Sequence, residues 1–118
     1  STLLASSAAS DVYKRQILRG RHLSRIFTTT ELAYAKDNAT TLAGNFAVKE
    51  AVSKVFGTGF FGVEPYEIEV LRNESGAPYV KLYGKAKEIA KDKQVSRIHV
   101  SITNTREFAQ AFAIGECV

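Results

Sequence analysis

The sequence predicts an α+β domain in which N-terminal helices pack on a small antiparallel sheet. Three observations carry that expectation. The run from Leu42 to Phe56 is apolar at helical spacing and stops at Gly57. Two pairs of alternating segments, 66–71 with 78–83 and 98–103 with 108–114, each enclose a turn. One more helical segment, 85–93, lies between the pairs.

Ser1 to Ser10 are small or polar with no clear period, and the stretch before Leu3-Leu4 lacks the basic region of a secretory signal. The reading is a disordered or extraneous terminal segment. Residues 12–26 set Val12, Ile17, Leu18, Leu23 and Ile26 among arginines, which predicts a basic helix or a helix and turn. Thr28 with Glu31 three residues on is a capping box for a short helix through Ala35. Asp37-Asn38 interrupts it, and Thr40 or Thr41 can cap the long helix 42–56. In that helix Val48, Val52 and Val55, with Ala47 and Ala51 between, form the expected core face. Gly57-Thr58-Gly59 and Phe60-Phe61-Gly62 make a glycine-punctuated loop. Asn73 to Gly76 turns the first hairpin. Ala86, Ile89 and Ala90 face inward from the helix 85–93, with its lysines outward. Asn104 to Glu107 turns the second hairpin.

Composition narrows the class. The chain has 118 residues, 45% hydrophobic and 24% charged, which suits one globular domain and excludes a disordered or collagen-like chain. One cysteine, Cys117, allows no internal disulfide and fits a reducing, cytoplasmic setting. No apolar run approaches the roughly 18–20 residues of a membrane helix, so no membrane partner is expected. The net charge is +4. Residues 1–25 hold five basic side chains against Asp11 alone, leaving eleven of each sign in the rest. That excess attracts polyanions, and a basic nucleic-acid-binding domain using the Lys14–Arg25 segment is the alternative function. Against it, these basic residues lack interleaved aromatics for stacking bases.

Phe46, Glu50 and Lys54 recur at i, i+4, i+8 on one face of the long helix, with Lys49 and Ser53 beside them. An exposed Glu50–Lys54 pair on an arbitrary helix contributes only about 0.3–0.5 kcal/mol. Here the helix runs into Gly57-Thr58-Gly59. A carboxylate, two ammonium groups and a flexible hydroxyl-bearing loop are also the parts for holding Mg²⁺ and a polyphosphate. The alternation of the strand 98–103 puts His99, Ser101 and Thr103 on one face. That row is either the polar face of an edge strand or part of a site. Two histidines and one cysteine exclude a zinc centre.

Phe46-Ala47-Val48-Lys49-Glu50-Ala51-Val52-Ser53-Lys54, followed by Phe56-Gly57-Thr58-Gly59, resembles the signature of the phosphopantetheinyl transferases, in particular the small bacterial holo-[acyl-carrier-protein] synthases. Ile98-His99-Val100-Ser101-Ile102-Thr103 is similar to that family's His-Val-Ser strand, and Asn73 to Pro78 fits its hairpin turn. The similarity runs from about Ile17 to Ile114, which divides the chain into an atypical segment 1–16 and one transferase domain, 17–118. It implies a 4′-phosphopantetheinyl transferase-like fold. The activity it implies is Mg²⁺-dependent transfer of 4′-phosphopantetheine from coenzyme A to a serine of apo-acyl carrier protein, releasing 3′,5′-ADP, as in fatty acid biosynthesis. Glu50 would ligate the metal and Lys54 would steady the phosphates, as the catalytic pair. Lys49, Ser53, Gly57, Thr58, Gly59, His99, Ser101 and Thr103 would bind the coenzyme. The assembly would be a homotrimer, and Arg19, Arg21 and Arg25 would dock the acidic carrier protein.

Three departures stand out. Where the family opens with a Gly-x-Asp strand, this chain has Ser-Ser-Ala-Ala-Ser-Asp, and Asp11 lies too close to Thr28 to match the family's metal-binding aspartate. The expectation is therefore a missing strand and a catalytically impaired member as a further alternative. Asn45 stands where many members have an arginine near the nucleotide's phosphates. Asn104 stands where many have a second histidine.

Overall fold

The computed structural model describes residues 2–11 and 23–118. Its elements are β1 (Thr2–Asp11), α1 (Thr29–Ala35), α2 (Ala39–Val55), β2 (Ile68–Arg72), β3 (Pro78–Leu82), α3 (Gly84–Asp92), β4 (Val95–Asn104) and β5 (Phe108–Cys117), with single 3₁₀ turns at Leu23–Arg25, Gly59–Phe61 and Pro65–Glu67. The predicted α+β class and all predicted strands and helices from Thr28 onward are present, with ends moved by a few residues. The basic helix expected over residues 12–26 lies, except for its last four residues, outside the described residues.

Helix α2 is central because almost every stripe of it meets protein. Val48, Val52 and Val55 are buried, as are Ala47 and Ala51. At roughly 1.5–3 kcal/mol for each valine taken from water, this face alone fastens the helix to the sheets. Its N-cap is Asn38, whose Oδ1 accepts the Thr41 N–H at 3.0 Å, rather than Thr40 or Thr41. Asparagine reaches the same orphan donor and leaves both threonines inside the helix. Gly57 then takes the left-handed conformation (φ 78°) that ends the helix.

The sheets are antiparallel: β1-β5-β4 and the hairpin β2-β3. Helix α2 lies against the first sheet on the small side chains of β5, where Ala109, Ala111 and Ala113 are buried. The approach is close enough that a Cβ on Gly115 would meet Val55 Cγ1 at 2.9 Å.

The first strand corrects the reading of residues 1–10 as disordered and of the sheet as lacking a partner. Thr2 to Asp11 pair with Cys117 to Phe108 along their whole length. Leu4, Ala8 and Ser10 turn toward α2, while Leu3, Ala5, Ser7 and Ala9 turn out. Alanine and serine are poor strand formers, so the local signal is weak. The strand forms because β5 offers a complete ladder and α2 a surface that takes Leu4 at one end and small side chains beyond it.

Candidate active site

Four polar residues of α2, Lys49, Glu50, Ser53 and Lys54, are the candidates for chemistry, and the helix divides them sharply. Lys54 is exposed, and its Nζ donates to the Ser7 carbonyl of β1 at 3.1 Å. Glu50, one turn earlier, is half-buried on the same stripe. Phe46 precedes them, its ring 5.8 Å from that of Phe60. That contact ties the stripe to the loop that follows. In the loop, Gly57 N–H donates to Lys54 O at 2.9 Å and Thr58 N–H to Ser53 O at 3.2 Å. The Thr58 hydroxyl donates to Gly59 O at 2.8 Å. Gly59 is again left-handed (φ 56°), and nothing lies within 4 Å of where its Cβ would be. The loop therefore stands open beside Lys54.

Lys49 and Ser53, expected to bind the coenzyme, lie in the interior and not on this surface. Lys49 is wholly buried. Its three ammonium protons go to Glu31 Oε1 at 2.8 Å, Ile68 O at 2.6 Å and Pro65 O at 3.0 Å. None is left for a phosphate. Burial pulls the ammonium's pKa below the usual lysine range, and the neighbouring Glu31 and Glu69 carboxylates oppose that fall. Ser53 is buried too and donates to the Glu50 carbonyl at 2.7 Å. A one-residue step on a helix is 100°, so side chains beside an exposed stripe can point into the core.

Sequence reasoning missed the network that Lys49 joins. Glu31 closes the predicted capping box, accepting the Thr28 N–H at 2.9 Å, and is itself fully buried. Its second oxygen accepts the Val70 N–H at 3.1 Å. Glu69, also buried, accepts hydroxyl protons from Thr28 at 2.6 Å and Tyr83 at 2.9 Å. The network joins α1, α2, β2 and the N-cap of α3 at Tyr83. Its signal in the sequence was an acid, Glu69, in the middle of a strand.

His99, Ser101 and Thr103 are exposed on one face of β4, while Val100 and Ile102 turn to the core, as the alternation required. His99 Nε2 bonds to the Glu116 carboxylate on β5. This row lies on the outer face of the sheet at its β4 edge. Lys54 lies over the β1 edge, two strand spacings or roughly 10 Å away, with α2 on the opposite face. One chain therefore does not bring the row together with Glu50 and Lys54. The same outer face carries Leu3, Phe108, Phe112 and Ile114, which are 63, 45, 57 and 39% exposed. Arg25 is exposed, while Arg19 and Arg21 lie outside the described residues. Asp11 ends β1, and its side chain also falls outside them.

An acid–base stripe on a buried helix leads into an open glycine loop on an α+β frame, an arrangement suited to gripping an anionic group. Comparison with known proteins identifies the family. The family model described as the 4′-phosphopantetheinyl transferase superfamily matches residues 10–114, and the chain belongs to that family. A holo-[acyl-carrier-protein] synthase of Lachnoclostridium phytofermentans is 52% identical over 100 residues, covering 85% of this chain and 82% of the relative. One from Halothermothrix orenii is 42% identical over 81% of this chain and 79% of the relative. Among solved structures, the Bacillus anthracis synthase in complex with CoA (3′,5′-ADP) superposes with TM-score 0.83 at 26% identity over the whole of both chains. The Plasmodium yoelii acyl carrier protein synthase with ADP bound superposes with TM-score 0.88 at 25% identity, covering 100% of this chain and 99% of that one.

Proposed function

We propose that this chain transfers 4′-phosphopantetheine from coenzyme A to a serine of an apo-acyl carrier protein and releases 3′,5′-ADP. The observation that carries the reading is the Glu50–Lys54 stripe opening onto Gly57–Gly59, in a chain 52% identical to a named synthase. The serine oxygen attacks the phosphorus bearing the pantetheine arm. The bond from that phosphorus to the bridging oxygen breaks, and 3′,5′-ADP leaves with that oxygen while the serine proton passes to solvent. Among the described residues Lys54 is bound only to a neutral carbonyl at the surface, so its ammonium can move to the phosphates and stabilise the leaving charge. Gly57 and Gly59 let backbone approach the nucleotide without a side chain intervening, and Thr58 lines the same pocket.

Mg²⁺ is part of the proposal, with Glu50 as its protein ligand. Mg²⁺ is ordinarily held by one or two carboxylates together with substrate phosphates and water. Among the described residues no three His, Cys, Asp or Glu side chains form a metal cluster, so a single carboxylate sharing the ion with the diphosphate is the mode this donor set suits. When bound, the ion would neutralise phosphate charge.

The site is completed by a second copy in a homotrimer, whose β4 row of His99, Ser101 and Thr103 faces the coenzyme held by Glu50 and Lys54. What supports this is the apolar outer face, over which the described residues place no layer, bordered by that row. An acidic carrier protein would dock on the basic segment that includes Arg19, Arg21 and Arg25. The transferase domain proper is residues 17–118, with β1 completing its sheet. Among the described residues no helix is long and apolar enough to cross a membrane, and the setting proposed is the cytoplasm.

The test is incubation of the chain with apo-carrier protein, coenzyme A and Mg²⁺, followed by intact mass. Gain of one phosphopantetheine arm is expected; an unchanged carrier, where a known synthase modifies it, discards the reading. For the assembly, a trimer mass in solution that falls to the monomer on Phe112→Asp is expected; a wild-type monomer with full turnover rules the shared site out.

A further inference from the structure

Arg72, at the end of β2, makes no ion pair among the described residues, and the Glu31 carboxylate acts on it only from a distance. It is half-buried, and burial lowers its pKa from the usual arginine range, opposed chiefly by the nearby Tyr34. A guanidinium stays protonated under such conditions. Nη2 donates to Asn45 Oδ1 at 2.9 Å, and Nη1 makes a long contact of 3.5 Å to the Leu71 carbonyl. The guanidinium carbon sits 5.4 Å from the centre of the Tyr34 ring, which is itself 57% exposed. No carboxylate bonds to Arg72 among the described residues, and Glu31 is engaged by Lys49. A partly desolvated charge is ordinarily paired.

Asn45 supplies an independent sign. It is fully buried, and because arginine only donates, the amide must turn its oxygen to Arg72. Its Nδ2 is then left in the interior without a partner. An unsatisfied buried donor is unfavourable, so the interior gives up a hydrogen bond to hold the guanidinium between an amide and an aromatic face. Three of the five N–H donors of Arg72 have no partner among the described residues.

We propose that Arg72, braced by Asn45 and Tyr34, binds a phosphate monoester, and that this is the phosphate on the ribose of coenzyme A. The second part rests on the function proposed above. Asn45 precedes Glu50 by five residues, about 7.5 Å along α2, and lies on a different stripe. On the reading that Glu50 and Lys54 hold the diphosphate, the ribose phosphate is the anion of the coenzyme left for a cation on another side of the helix. A planar fork of donors on a fixed stem suits a phosphate dianion better than a mobile lysine does.

Calorimetric titration of the whole chain with coenzyme A, with dephospho-coenzyme A and with inorganic phosphate tests both parts. The wild type should bind coenzyme A about 10- to 100-fold more tightly than the dephospho form. Arg72→Gln should lose that factor for coenzyme A and leave the dephospho form within about twofold. Asn45→Asp, which sets a carboxylate against the same guanidinium, should also erase the preference while its melting temperature holds. A purely structural Arg72 would instead tolerate or gain from Asn45→Asp. Equal affinity for both coenzymes in the wild type, or an Arg72→Gln chain that raises KM only for the carrier protein, overturns the site. Inorganic phosphate bound through Arg72 with no coenzyme A binding keeps the anion site and discards the nucleotide; binding of neither discards both.

Discussion

Lys49 and Lys54 stand five residues apart on one helix, within one motif, and have opposite surroundings. Lys49 is fully buried with all three protons engaged, tying α1 and the start of β2 to the helix. Lys54 is exposed, with a single neutral acceptor at 3.1 Å. The two differ by 500° of helix rotation, which turns one into the core and the other over the edge of β1. The comparison teaches that a dense signature of charged residues need not be one site: half of it builds the frame that holds the other half outward.

That division can be broken experimentally. Lys49→Met leaves Glu31 charged and buried without its cation, and a loss of about 3–5 kcal/mol in unfolding free energy is expected by denaturant titration. Adding Glu31→Gln should recover much of it. A Lys49→Met chain with unchanged stability and lost coenzyme binding would put Lys49 back at the surface. Lys54→Ala should behave in reverse: turnover down about 10²–10³-fold, with stability within about 0.5 kcal/mol of wild type. Glu50→Ala should abolish the response of turnover to added Mg²⁺, and a retained response removes Glu50 from the metal. The smallest effect belongs to the helix start, where Asn38→Ala should cost about 1 kcal/mol and leave kcat unchanged, as steady-state kinetics at a temperature below the transition would show.

The long helix was legible because its apolar spacing and its glycine stop agree with the burial that α2 meets. The stripe Phe46–Glu50–Lys54 was legible for the same reason, since period alone fixes which residues share a face. The interior place of Lys49 was not legible because its partners come from 18 residues earlier and 16 and 19 later in the chain, and no local pattern encodes them. The first strand was missed for a different reason. Leu4, Ser6, Ala8 and Ser10 point inward, three of them small where α2 comes close, so the determinant lies in the partners β5 and α2 rather than in the strand propensity of residues 2–11. His99, Ser101 and Thr103 were placed correctly on one face, yet that face is turned away from Glu50 within the chain.

This last separation gives the account its most direct test. If Glu50 of one copy and His99 of another make one site, two separately inactive chains, Glu50→Ala and His99→Ala, should regain transfer when refolded together. The recovery expected is about a quarter of wild-type turnover, the random share of sites that draw both intact halves in a closed ring. A mixture that stays as inactive as either variant alone, while forming mixed oligomers, would contradict a site shared between copies.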